Sequence, residues 1–65
     1  MQEYRNSDML NAITEYVHNA KYREILRLRF CDGLTHEEIA ETVGYSTQHV
    51  KDICRTYKPV LIRRL

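Results

Sequence analysis

Two glycines and one proline are all that interrupt this 65-residue chain. Each glycine stands just before a good helix opener, in Gly33-Leu34-Thr35 and in Gly44-Tyr45-Ser46. Glycine takes the left-handed backbone that closes a helix, and a serine or threonine hydroxyl accepts from the free amides that open one. Alternating strand patterns are absent, so the punctuation predicts an all-α fold of four to five short helices. The length allows one domain at most, residues 1–65, near the lower limit for folding without a metal or disulfide. A hydrophobic share of 43% is ordinary for a globular chain and argues against disorder.

Helix by helix, the pattern is specific. Ser7 is placed to cap a first helix with Met9, Leu10, Ile13, Tyr16 and Val17 at helical spacing, ending near His18 and Asn19. Asn19 then caps a second helix, "AKYREILRLRFC", which Asp32-Gly33 stops. Thr35-His36-Glu37-Glu38 reads as a capping box opening the third helix, whose inner face is Ile39, Ala40 and Val43. Gly44 ends it and Ser46 caps a fourth, with Val50, Ile53, Cys54 and Tyr57 facing inward and a stripe continuing to Leu61 and Leu65. Pro59 has no amide for the Arg55 carbonyl. It predicts either a kinked continuation, which the 57, 61, 65 spacing favours, or a separate short helix with proline in its first turn.

Net charge is only +1, but its distribution is uneven. Residues 1–42 carry eight acids against five bases, whereas residues 43–65 carry Lys51, Arg55, Lys58, Arg63 and Arg64 against Asp52 alone. A basic C-terminal third is either a solvated helix face or an electrostatic footprint on a polyanion. No apolar run approaches the roughly 20 residues that span a bilayer, and "MQEYRNSDML" has no apolar signal core, which together predict a cytoplasmic protein away from membranes. Cys31 and Cys54 form no CxxC pair, and His49 and Cys54 fall mostly on different faces of one helix. Small buried thiols are the better reading than a zinc site, and no cofactor is expected. Nor is catalysis: Glu37, Glu38 and Glu41 belong to an exposed capped helix, and a chain this short leaves little room for a pocket.

A short helix, a glycine turn and a capped second helix make residues 36–55 a helix-turn-helix. Ala40 is small where the helices cross, Gly44 stands where positive φ is needed, and Ile39, Val43, Tyr45, Val50 and Ile53 fix the angle.

The stretch "REILRLRFCDGLTHEEIAETVGYSTQHVKDI", residues 23–53, resembles region four of bacterial sigma factors in its arginine-leucine-rich helix, its "DGLT.EEIA" turn and its serine entry to the last helix. LuxR-type output domains share much of the pattern and are less close. The resemblance implies a four-helix module that reads promoter −35 elements and touches the RNA polymerase flap, here as a small bacterial, phage or mobile-element regulator. The chain carries none of the other sigma regions, so it is not expected to open a promoter alone. Its outer face, Thr47-Gln48-His49 with Lys51 and Asp52, also lacks the arginine-glutamate and glutamine readers typical of the family.

Residue chemistry assigns roles along a recognition helix of about 47–57. Thr47, Gln48, His49 and Asp52 are candidates for base edges in the major groove of double-stranded DNA, Gln48 being suited to adenine. Asp52 either accepts from cytosine or holds Arg55 or His49 in place. Lys51 and Arg55, the Ser46 entry and the Thr35–His36 end of the third helix are expected near phosphates. Arg27 or Arg29 is within reach of the DNA backbone as well. The alternative is a module that docks on RNA polymerase without reading bases. A homodimer on paired half-sites is the expected assembly, with helix one and the Leu61/Leu65 stripe as interfaces.

Overall fold

A computed structural model describes residues 5–65. The first four residues, part of the segment judged to lack a signal core, lie outside the described residues. Four helices follow in order: α1 (Asn6–Tyr16), α2 (Ala20–Phe30), α3 (His36–Val43) and α4 (Thr47–Arg63). Among the described residues there is no strand, and the all-α expectation is met. No helix of the described residues is long and apolar enough to cross a membrane.

The helix boundaries follow local chemistry closely in the second half of the chain. The Asn19 carboxamide oxygen accepts from the Lys21 and Tyr22 amides at 2.9 and 3.1 Å, opening α2. Around Gly33 (φ +77) the Leu34 amide turns back to the Leu28 carbonyl at 3.0 Å and closes it. At α3 the capping box is complete: the Thr35 amide donates to Glu38 Oε1 at 2.8 Å, and the Glu38 amide donates to Thr35 Oγ1 at 3.1 Å. Gly44 ends α3 in the left-handed conformation, its amide donating to the Ala40 carbonyl. Ser46 then opens α4, accepting from the His49 amide at 3.1 Å.

Two boundaries differ from the sequence expectation. Ser7 does not cap α1; the helix starts at Asn6 after an extended Arg5 that makes no side-chain capping bond. The physical reason lies 25 residues away, where Asn6 Nδ2 donates to the Cys31 carbonyl at 3.3 Å and ties the start of α1 to the end of α2. α1 also ends sooner than expected, at Tyr16, because Val17 turns extended and is fully buried. The α1 carbonyls exposed by that ending are closed by Arg23 of α2, whose guanidinium donates to the Thr14 and Val17 carbonyls. A cation at a helix C-terminus also meets the negative end of the macrodipole. Arg23 is therefore a structural clamp.

Met9, Ile13 and Val17 from α1 and its end, Ile25 and Leu26 from α2, Ile39 from α3, and Val50 and Leu61 from α4 are all buried at 1% exposure or less. α2 packs against all three other helices. α4 runs unbroken through Pro59, so the rival of a separate last helix is not what forms. Proline inside a helix costs about 3 kcal/mol. Complete burial of Leu61 returns roughly 1.5–3 kcal/mol. The Arg64 guanidinium, 4.7 Å from the centre of the Tyr16 ring, contributes about 0.5–1 kcal/mol more. Pro59 and Arg55 both face solvent, so water can satisfy the orphaned Arg55 carbonyl. Leu61 points into the core, leaving Leu65 as the exposed end of the expected stripe, at 47%. Cys31 and Cys54 are free thiols, and burial is the largest cause that raises the pKa of each, with Asp32 adding to it at Cys31 and Arg29 opposing it at Cys54.

The Gly44 turn should behave as a purely conformational requirement, since a Cβ built there meets nothing within 4 Å. Gly44→Ala is expected to cost about 1–2 kcal/mol, which for a domain this small lowers Tm by roughly 4–8 °C or somewhat more. Gly44→Asn should cost less, because asparagine tolerates the left-handed region. Thermal melting followed by circular dichroism checks both, and an unchanged Tm for the alanine variant would contradict the assignment.

Candidate nucleic-acid interface

Burial of Val50, Ile53 and Cys54 turns one side of α4 to the core and leaves the opposite side exposed. Gln48, Lys51, Asp52 and Arg55 fall at i, i+3, i+4 and i+7, the spacing of one helix stripe. Gln48 Nε2 donates to Asp52 Oδ1 at 3.0 Å, and Arg55 Nη2 donates to the same oxygen at 2.6 Å. The expected role of Asp52 as a holder of Arg55 is thus seen, with Gln48 rather than His49 as its second partner.

A shallow groove runs beside this stripe, walled by Gln48, Lys51, Arg55 and Lys58 of α4 and by Arg29, Phe30 and His36 opposite, with Cys54 at its base. Four permanent cations line it, and no acid does. Arg29 is fixed there by donating from Nη1 to the Leu34 carbonyl at 2.9 Å. The crowding registers on His36. Partial burial, then Arg29 and Lys51, hold its pKa below the ordinary histidine value, with Glu37 opposing. Burial and the two cations disfavour a positive charge on the imidazole, and an anion placed in the groove would offset the two cations.

The other sequence candidates divide. Thr35 Oγ1 and Ser46 Oγ are engaged in capping, so their first duty is to position His36 and Thr47. The capping box also takes the Thr35 and Glu38 amides, which narrows the anion-facing end of α3 to the amides of His36 and Glu37. Thr47 is the half-buried first residue of α4. His49 lies apart from the groove residues: its ring stacks on Tyr45 at 4.7 Å between centroids and 4° between planes, and meets the edge of Tyr22 at 6.4 Å. Tyr45 is half-buried against the core, as expected of a turn plug. Arg27 pairs with Asp32 at 3.1 Å, so of the three α2 arginines only Arg29 lines the groove. Phe30 is partly buried and also walls the groove, a position that depends on how the end of α2 meets α4.

The fold and this exposed helix define a helix-turn-helix DNA-binding module. Over residues 19–56, from the Asn19 cap to within α4, the chain matches the family described as Sigma-70, region 4, and it belongs to that family. No curated protein and no solved structure matches the chain. Among the described residues no group of three or more histidine, cysteine or acidic side chains is placed to hold a metal ion.

The depressed His36 pKa has a definite sign in stability. Above pH 6.5 the imidazole is neutral in both folded and unfolded chains, and its contribution is fully present. As pH falls from 6.5 through the folded value, the unfolded chain takes up the proton first and stability is lost. Urea unfolding between pH 7.5 and 5 should show this decline, and His36→Gln should flatten part of it. An equal slope in the variant would contradict the cationic surroundings assigned to His36.

Proposed function

We propose that this chain is a sequence-specific DNA-binding transcription regulator of bacterial or phage origin that lays α4 in the major groove. The observation that carries this reading is the convergence of Arg29, Lys51, Arg55 and Lys58 on one groove beside an exposed Gln48. Lys51, Lys58, Arg29 and, once released from Asp52, Arg55 bind phosphates, with His36 joining them as it gains a proton. Gln48 reads a base edge, adenine being the partner that matches its paired donor and acceptor. Thr47 lies beside it at the start of the helix, and His49 supports the turn by stacking, with its outer edge facing the DNA flank.

A second reading rests on exposed apolar side chains of α1 and of the C-terminal end of the chain. Leu10, Val60, Ile62 and Leu65 are all at least 40% exposed. These side chains suit either docking on RNA polymerase or pairing of two copies on adjacent half-sites. Since a single module of this size binds specific DNA weakly, the dimer is the form we favour. Leu61, buried in the fold, takes no part in it.

Three to four phosphate contacts imply that log K for duplex DNA falls with log salt at a slope of about −3 to −4 per protomer. Lys51→Ala should weaken binding to every sequence alike and make that slope shallower by about 0.9. Gln48→Ala should instead cost about 1–3 kcal/mol on the preferred sequence alone. Fluorescence anisotropy over a salt series, on a duplex selected from a random pool, measures all three. Salt-independent binding, or a Gln48→Ala/Lys51→Ala double variant that keeps its duplex affinity, would favour the polymerase-docking alternative. Sedimentation of the chain with and without that duplex tests the dimer, and a strict monomer on DNA would exclude it.

A further inference from the structure

Asp52 is the only acid beyond residue 43, and it lies in the middle of the basic stripe of α4. A carboxylate facing DNA is repelled by phosphate, so its presence among Gln48, Lys51 and Arg55 needs a compensating gain. One oxygen, Oδ1, accepts both from Gln48 Nε2 at 3.0 Å and from Arg55 Nη2 at 2.6 Å. Arg55 is 77% exposed and Asp52 46%, so both remain open to a ligand. A cytosine amino group would have to reach the carboxylate beside a short, charge-assisted bond to Arg55 that is already made.

Resting on the DNA-binding reading above, we propose that Asp52 is a positioning residue that sets specificity by restraining its neighbours rather than by reading a base. Its hydrogen bond spends one N–H of the Gln48 amide and leaves the other N–H and Oε1 as the donor and acceptor that an adenine edge takes. Its charge keeps Arg55 off phosphate until the chain is seated on its preferred sequence, so the cost falls on non-specific complexes and not on the specific one. Discrimination is measured against that sequence-independent background, so lowering it raises the ratio of specific to non-specific binding.

Asp52→Asn tests this in the full chain, because asparagine keeps the shape and an acceptor for Gln48 while removing the charge that holds Arg55. Binding would be measured on two duplexes of equal length, one recovered by selection from a random pool and one of random sequence. Random-sequence affinity at low salt is expected to rise about three- to tenfold, with a salt slope steeper by about 0.9, the equivalent of one more phosphate contact. The ratio between the two duplexes should fall. In an Arg55→Gln background the same Asp52→Asn change should no longer steepen the slope, a coupling that a merely structural role would not produce. An unchanged slope and ratio overturns the proposal. So does a loss confined to duplexes carrying one particular C·G pair, the signature of a direct reader. If the unaltered chain shows no salt-dependent duplex binding, the DNA reading itself fails and this one with it; if it does, an unresponsive Asp52→Asn overturns only the role given to Asp52.

Discussion

The left-handed backbone at Gly44 (φ +79) is the constraint on which the candidate surface depends. It turns the chain out of α3 within three residues and delivers Ser46 to cap α4. Ile39, Val43, Val50 and Ile53 are then buried together, which fixes how the two helices cross. Because one side of α4 is consumed by that burial, the stripe of Gln48, Lys51, Asp52 and Arg55 has no choice but to face outward. The exposure of this candidate interface is thus a consequence of core packing.

The cations of the chain are divided between two kinds of work. Arg23 closes the end of α1, Arg27 pairs with Asp32 beside the Gly33 turn, and Arg64 lies over Tyr16 at the far end of α4. None of these is worth much alone, since exposed pairs contribute about 0–1 kcal/mol. Together they keep three potential phosphate binders off the groove side and leave Arg29, Lys51, Arg55 and Lys58 concentrated there. A net charge of +1 therefore understates the field a polyanion would meet. Four cations within a groove would act on neighbouring phosphates inside a Debye length of about 8–10 Å, and no acid lines that groove.

What could be read from the sequence was mostly what is decided within four residues. The Asn19, Thr35 and Ser46 caps, the Gly33 and Gly44 stops and the inward set of α3 and α4 are all set by neighbours in the chain, and all are as expected. The start of α1 differs from the expectation because Asn6 also bonds Cys31, a partner 25 residues away that local sequence does not show. Leu61 was given to an interface because periodicity cannot say whether a stripe past a proline meets the core or solvent. Among the candidate interface residues, spacing grouped Gln48, Lys51, Asp52 and Arg55 correctly on one helix. It could not separate them from His49, whose partners Tyr22 and Tyr45 come from α2 and from the turn. It also gave no sign that Phe30 and Arg29 would meet α4, since that depends on the crossing of α2 with the helix-turn-helix.

The same crossing explains why α2 belongs with the helix-turn-helix and not merely beneath it. The family match begins at Asn19, the residue that caps α2, and α1 lies outside it. α2 packs on α1, α3 and α4 alike, with Ile25 and Leu26 wholly buried, and its last turn supplies Arg29 to the groove. A helix-turn-helix of two helices alone would expose Val50 and Ile53 and leave the groove with one wall. Adding α2 completes both the core and the far wall, while α1 covers the back of α2 and is held there by Arg23. Every residue that lines the groove therefore comes from α2 through α4, while α1 packs on both α2 and α4 and contributes Met9 and Ile13 to the core.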